Sequence, residues 1–299
     1  MIELIDFSEQ KHLGKGQCRR IFHGRGYAYE GLEHVVIDWW PPVVLITLYK
    51  EVEREWLLTL ADQLSDRMVA SQSVMVQYRC RPKAPFELLV GEMFRDFIVD
   101  ESGLKYHVEL GRSQNIGLFL DMRLGRDWVR EHAEGKKVLN LFAYSCAFSV
   151  AAIEGGALQV VNVDLSKPAL TRGRENHRLN GHDMRKVTFQ SVDIFKSFSR
   201  LKKFGPYDLL ICDPPAFQKG SVDIKRDYPK ILRRVSELMN PAGQLMLCLN
   251  SPDLTEDFLH DLVAEYCPDY TFVKSISAPE VFVESMPGRG LKVLLYAHQ

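Results

Sequence analysis

Residues 207–217 read YDLLICDPPAF. Leu209 to Cys212 form a short apolar run of the kind found in a strand covered on both faces. Pro214 and Pro215 cannot donate to a strand ladder, so the strand must end at Asp213. The chain before it repeats the construction in KVLNLFA (137–143), LQVVNVD (158–164) and VTFQSVD (187–193), with helical stretches such as KPALTRGRENHRLNG (167–181) between them. Strands alternating with helices require a parallel sheet with helices on both faces, so the C-terminal two thirds is α/β.

Upstream the rhythm differs. HVVIDWW (34–40), a Pro41-Pro42 turn, VVLITLY (43–49), a helical EVEREWLLTLADQLSD (51–66), VMVQYRC (74–80), FELLVGE (86–92) and a hairpin FIVDESGLKYHVEL (97–110) turned at Ser102-Gly103 read as a small α+β unit. The expected division is a small α+β domain over 1–110, expected to help hold a nucleic-acid partner, and the α/β domain over 111–299. Trp39 and Trp40 are adjacent in a strand, so one of them is expected to point to the core. No run of eighteen apolar residues occurs and MIELIDFSEQ has no basic segment followed by an apolar core, so a cytoplasmic protein is expected. The six cysteines stand singly, without a C-x-x-C pair or Cys/His cluster, and signal neither disulfide framework nor zinc site. A net charge of -1 excludes the globally basic signature of a non-specific nucleic-acid binder. Residues 10–29 nevertheless carry Lys11, Lys15, Arg19, Arg20 and Arg25 with Phe22, Tyr27 and Tyr29, either a phosphate-tracking, base-stacking surface or a solvated face.

In a doubly wound sheet, ligands sit beyond the carboxyl ends of the strands. Those ends carry NLFAYSCAFS (140–149), Asp164, Asp193 and Asp213. One strand-terminal acid is a common helix cap; three in succession suit a ligand with hydroxyls, an amine and an adenine amino group. Asp164 lies 24 residues after Asn140, close to the spacing at which an acid meets ribose hydroxyls in nucleotide-binding folds. The first loop has no G-x-G-x-x-G, which argues against a pyrophosphate and for a nucleoside ligand without phosphates.

VLNLFAYSCAFSVAAIEGGA, VNVDLSKPALTRGRENHRLNG, YDLLICDPPAF and the lead-in GLFLDMRLGRDW (117–128) resemble the class I S-adenosylmethionine-dependent methyltransferases. Among these they are most similar to the RlmI and RlmK family, which methylates bacterial large-subunit ribosomal RNA. The resemblance runs from about Asn115 to the C-terminus and implies a Rossmann-like, seven-stranded methyltransferase sheet after the small α+β domain. It also implies S-adenosyl-L-methionine as cofactor, with no metal. Asp164 would hold the ribose hydroxyls with Leu165 and Ser166 beside it, and Asp193 and Ile194 would flank the adenine. Asn140, Phe142, Ala143, Tyr144 and Ser145 would form the first cofactor loop, Asp121 and Arg123 would line the methionyl end, and Asp213 would stand at the reactive centre. Asp213, Pro214, Pro215 and Phe217 are the expected catalytic cradle, the prolines exposing carbonyls and Phe217 stacking on a base. Phe217, Lys219, Lys225, Arg226 and Asn250 are the expected substrate contacts, with Arg233 read as solvent-facing.

The acceptor turns on a cysteine. Methylation at cytosine C5 needs a thiolate to add at C6, whereas guanine N7 offers an in-plane lone pair and needs no covalent help. The RlmI branch carries that cysteine after the fifth strand, where this chain has Asn250. Cys248, two residues earlier in LMLCLNSPDL, is a minority alternative as nucleophile, and Cys146 and Cys212 have no neighbouring base. The expectation is a base methyltransferase of large-subunit ribosomal RNA at guanine N7. The alternatives are cytosine C5, a non-RNA substrate, or a binding-only RNA module. The oligomeric state stays open between monomer and homodimer. His177 and His182 read as surface or capping residues, and 279–298 as a closing hairpin on the antiparallel edge of the sheet.

Overall fold

The computed structural model describes residues 1–5, 16–215 and 222–299. Among these the chain divides into Met1–Leu120 with Pro279–Met286, and Asp121–Ala278 with Pro287–Gln299.

The first unit runs β1 (Arg19–His23), β2 (Val35–Trp40), β3 (Val43–Leu48), α1 (Arg54–Arg67), β4 (Ser73–Tyr78) and β5 (Phe86–Gly91), then the hairpin β6 (Asp96–Glu101) and β7 (Leu104–Glu109). The five-stranded sheet keeps the order of the chain. β3 and β4 are parallel because α1 crosses between them; the other neighbours are antiparallel. Leu57, Leu60, Ala61 and Leu64 of α1 join Val35, Ile37, Trp39, Val44 and Ile46 in one core. Every residue of β2, β3 and β4 is buried, so Trp40 lies inside as well as Trp39. Ser102 and Gly103 take positive φ at the hairpin tip, as a two-residue turn matched to the strand twist demands.

The second unit runs α2 (Arg123–His132), β8 (Lys137–Leu141), α3 (Ala147–Glu154), β9 (Gln159–Asp164), α4 (Lys167–Leu179), β10 (Val187–Ser191), α5 (Phe198–Lys202) and β11 (Tyr207–Cys212). It continues through α6 (Ile224–Leu232), α7 (Val235–Leu238), β12 (Met239–Leu249), α8 (Asp257–Tyr266), β13 (Tyr270–Ile276) and β14 (Lys292–His298). Its seven strands lie in the order β10-β9-β8-β11-β12-β14-β13. The first five are mutually parallel and β14 is antiparallel to both its neighbours. Alternate residues serve opposite faces. Leu139, Leu141, Val161, Val163, Leu210 and Cys212 pack with α6, α7 and α8 on one side. Val138, Val160, Leu209 and Ile211 pack with α2 and α3 on the other.

The closing hairpin differs from expectation. β14 is not the edge strand but lies between β12 and β13, and its antiparallel mates are those two strands, not residues near 281–284. Val293 to Tyr296 are buried, as suits an interior strand, whereas β13 is mostly exposed and suits an edge. Pro279–Met286 belongs with the first unit.

Candidate active site

The strand order reverses between β8 and β11: the chain adds β9 and β10 on one side of this pair and β12 on the other. Loops leaving adjacent strands in opposite directions open a crevice beyond their carboxyl ends. Leu141 lies opposite both Cys212 and Val163, and Asp164 opposite Ser191, so the four candidate loops leave one edge of the sheet.

The loop after β8 achieves its turn without glycine. Phe142, Tyr144 and Cys146 all have left-handed backbone (φ 57, 45 and 60), each at a cost of about 1–3 kcal/mol. Neighbouring groups impose it. Ala143 N–H donates to Val163 O (3.0 Å), Cys146 N–H to Ala143 O (2.7 Å), and Ser145 O accepts from Asn176 Nδ2 (3.0 Å). Gly173 of α4 lies so close that a Cβ there would collide with the Cys146 Sγ.

Asp164 organises the next corner: Oδ2 accepts from Tyr144 N–H (2.8 Å) and Oδ1 from Ser166 N–H (2.7 Å). Each oxygen keeps a further lone pair, and the residue is half-buried. Ser166 then caps α4 from Ala169 N–H (3.3 Å), and Leu165 is 67% exposed beside it. Asp193 is a cap too, accepting from Phe195 N–H (2.9 Å), with Ile194 buried behind it and Lys196 3.6 Å away.

Asp213 is the electrostatic centre. It remains partly accessible, yet burial raises its pKa to about 7; Asp121 pushes in the same direction and Arg126 opposes both. Arg126, a charge on the buried face of α2 with Gly125, Trp128 and Val129, is the residue that sequence reading missed. Its position four residues after Met122 on that face was the available signal. Arg123, expected beside Asp121, has Asp127 at 3.9 Å one turn along α2. Pro214 is buried and Pro215 half-buried.

Asn140 is fully buried and opens a chain of side chains running back into the unit. Its Nδ2–H donates to Asn162 Oδ1 (2.9 Å), and Asn162 Nδ2–H donates to Ser149 Oγ (2.9 Å). Ser149 Oγ meets His177 Nε2 (2.9 Å), His177 Nδ1 meets His182 Nδ1 (2.9 Å), and His182 Nε2 meets Glu154 Oε2 (3.3 Å). A single assignment of protons satisfies it: each group donates outward and the last donor ends on a carboxylate. This corrects the reading of His177 as surface or cap: it has no exposed area, and burial followed by the His182 charge lowers its pKa to about 3.

The three cysteines nearest the candidate site, Cys146, Cys212 and Cys248, are buried thiols. Burial pushes the Cys248, Cys212 and Cys146 pKa values upward, and for Cys248 the Asp213 carboxylate pushes further. Cys248 sits inside β12, and its carbonyl shares the Tyr228 hydroxyl with the Cys212 carbonyl (3.0 and 3.2 Å). Tyr228, also unforeseen, thus ties α6 to the ends of β11 and β12. Asn250 follows β12 and is exposed, and Lys225 is exposed in the first turn of α6. Arg226 holds the buried Asp227 through two hydrogen bonds of 2.9 Å. Phe217 and Lys219 lie outside the described residues.

The S-adenosylmethionine-dependent methyltransferase family model matches residues 19–297. The chain belongs to that family. It is 34% identical over 198 residues to ribosomal RNA large subunit methyltransferase I of Erwinia tasmaniensis, covering 63% of this chain and 50% of that protein. It is 30% identical over 301 residues to Bacillus subtilis YwbD, provisionally named a ribosomal RNA large subunit methyltransferase, covering 92% of this chain and 73% of that protein. SMU.776, solved with SAH and provisionally named a methyltransferase, superposes with a TM-score of 0.88 at 26% identity, covering 99% of this chain and 80% of that one. This methyltransferase chain spans about half the length of the first of these relatives.

The family's cofactor is S-adenosylmethionine, and the donor set suits it. Half-buried carboxylates end β9 and follow β10 and β11, Asp121 adds a fourth, and the first loop has no glycine-lined phosphate cradle. Among the described residues no cluster of His, Cys, Asp or Glu could hold a metal ion, and no helix is long and apolar enough to cross a membrane.

Proposed function

We propose that this methyltransferase acts on a base of large-subunit ribosomal RNA, at a ring nitrogen such as guanine N7. The cofactor reading is carried by one observation: Asp213, at the switch point of the sheet, is lifted to a pKa of about 7 by burial and by Asp121. A carboxyl held there half-protonated at neutral pH favours a cationic partner, whose charge makes the ionised form the stable one. The cofactor, when bound, supplies an electrophilic methyl group on a sulfonium.

In this reading Asp164 takes the ribose hydroxyls, with Leu165 and Ser166 alongside, and Asp193 and Ile194 border the adenine. Asp121, Asp213 and the loop Phe142–Ser145 surround the methionyl end, with Arg123 or Arg126 toward its carboxylate. Asn140 acts through its bond to Asn162, fixing the end of β8. Pro214 and Pro215 expose carbonyls beside Asp213, and Phe217, Lys219, Lys225 and Asn250 face the acceptor. Arg226, already committed to Asp227, shapes the start of α6.

Guanine N7 has a lone pair in the ring plane and no proton to lose, so the protein needs neither nucleophile nor base. Alignment suffices, since a positioned acceptor gains an effective molarity of about 10⁵ M or more. The raised thiol of Cys248 and the asparagine after β12 favour this acceptor over cytosine C5. The relatives' names support ribosomal RNA, and with it a cytoplasmic location. The test is tritium transfer from labelled cofactor to deproteinised ribosomal RNA, followed by mass spectrometry of the nucleosides. 7-Methylguanosine is expected; label in 5-methylcytidine, or no label in RNA, overturns the acceptor or the substrate class respectively.

A further inference from the structure

The basic stretch near the N-terminus is not one surface. Arg19 is buried, and Arg20 turns inward to hold Asp38 through Nε (2.8 Å) and Nη2 (3.2 Å); Lys11 and Lys15 lie outside the described residues. Arg25 behaves otherwise. It stands exposed between Gly24 and Gly26, both buried. A Cβ on Gly24 would strike the Leu32 carbonyl oxygen and one on Gly26 the Val283 carbonyl oxygen, while Gly26 O accepts from Ser285 N–H (2.7 Å). The backbone on each side of Arg25 is therefore clamped.

That clamp presents the arginine beside a second one, distant in sequence. The Arg25 guanidinium lies 4.3 Å from the centre of the Tyr49 ring, and the Arg79 guanidinium lies 5.7 Å from the same centre. Arg79 is held by a neutral residue: Nη1 donates to the Gln114 backbone carbonyl (3.1 Å), and Nη2 (2.6 Å) and Nε (3.0 Å) donate to the Gln114 side-chain oxygen. Among the described residues neither Arg25 nor Arg79 has a carboxylate partner. Arg54 and Arg81, elsewhere on the same unit, are neutralised by Glu87 (2.6 Å) and Glu51 (2.7 Å). Two residues past Arg25, Tyr27 is 56% exposed and held in left-handed backbone (φ 59) by its N–H bond to Gly24 O (2.9 Å).

We propose that Arg25, Tyr27, Tyr49 and Arg79 form a docking surface for single-stranded RNA on the small unit, a reading that rests on the ribosomal RNA substrate proposed above. Guanidinium groups without a carboxylate partner favour phosphate: Arg25 can offer its planar fork, and Arg79, its fork held by Gln114, adds positive charge beside it. The exposed Tyr27 ring favours the face of an unpaired base, which a duplex keeps stacked away, while the half-buried Tyr49 ring seats the two guanidinium groups. Because the glycine clamp fixes Arg25 beforehand, little ordering is lost when RNA arrives.

The test uses the full chain and a fluorescein-labelled twelve-nucleotide oligouridylate, with anisotropy measured over a salt series. Two lost phosphate contacts should make the log–log salt slope of the R25Q/R79Q variant shallower by about 1.4, with binding weakened at least about fivefold at 0.1 M salt. Tyr27→Ala should weaken binding about fivefold or more with the slope unchanged. The R54Q/R81Q control should match the parent, and all variants should bind S-adenosylmethionine in calorimetry as the parent does, which separates lost docking from lost folding. Parent-like binding and slope in R25Q/R79Q overturn the surface while leaving the substrate reading intact. An equal loss on a blunt RNA duplex overturns its single-strand character. Variants that lose RNA while the parent methylates no ribosomal RNA overturn the substrate reading alone.

Discussion

Asp213 makes the sharpest demand on experiment. A carboxyl with a pKa of about 7 is half-protonated in the free protein at neutral pH, and a bound cation lowers that value, so cofactor binding must expel a proton. Affinity for S-adenosylmethionine should therefore rise from pH 6 to pH 8, by up to about tenfold per unit below 7, and level off above it. Calorimetry in two buffers of different ionisation heat should show proton release below pH 7, and Asp213→Asn should bind weakly with no such linkage. Cys248→Ser should keep methyl transfer within about twofold, because a buried thiol whose pKa is raised supplies no thiolate; a dead enzyme that still binds cofactor would restore it as nucleophile. Asp164 and Asp213 were legible because each closes an apolar run, and Asp213 doubly so because two prolines follow it. Arg126 was not. The second of three charges in RLGRDWV reads as part of an ordinary amphipathic helix until its burial is known.

Among the elements, the parallel strands were readable because burial on both faces leaves near-continuous Val, Ile and Leu, a pattern few other structures produce. β14 was misplaced because an apolar run predicts a strand without naming its neighbours; its pairing with β12 on one side and β13 on the other assigns the slot. The polar chain through β8, β9, α3 and α4 was hidden for a related reason. Asn140, Asn162, Ser149 and His177 are unremarkable singly, and pairing across 13 to 28 residues brings them together. It carries a pH signature. His177 has a folded pKa of about 3, below its ordinary value near 6.5, so the stability it contributes is complete above pH 6.5 and drains as pH falls toward 3. His182, also lowered by burial, has the same sign. For His177 the loss approaches about 1.4 kcal/mol per pH unit below 6.5. Urea midpoints should fall from pH 7 to pH 5, and His177→Gln, although less stable at pH 7, should show a distinctly shallower fall. An unchanged slope would mean that the imidazole is protonated in the folded protein, and the outward run of donors would then be wrong.

At the scale of the molecule, chemistry and chain division coincide. Every described residue proposed for the cofactor, from Asp121 to Asp213, lies within Asp121–Ala278, while Arg25, Tyr27, Tyr49 and Arg79 lie within Met1–Leu120. Each unit also has its own core, the first built on α1 and the second on both faces of the seven-stranded sheet. A fragment of residues 121–299 should therefore fold, once Pro279–Met286, which belongs with the first unit, is replaced by a glycine-serine linker of equal length. Left in place, that segment would expose Phe282 and Val283 without the Arg20 guanidinium over the Phe282 ring and the Gly26 backbone they meet in the full chain. Calorimetry should give the linker fragment an S-adenosylmethionine Kd within about threefold of the full chain, a difference below about 0.7 kcal/mol. Methyl transfer to ribosomal RNA should drop at least about tenfold, the share that about 1.4 kcal/mol of lost RNA contact would carry. The two readings fail separately. A fragment that folds but loses its cofactor would place part of that site in the first unit, whereas one that methylates ribosomal RNA at the full rate would remove the small unit from substrate recognition and the docking surface with it.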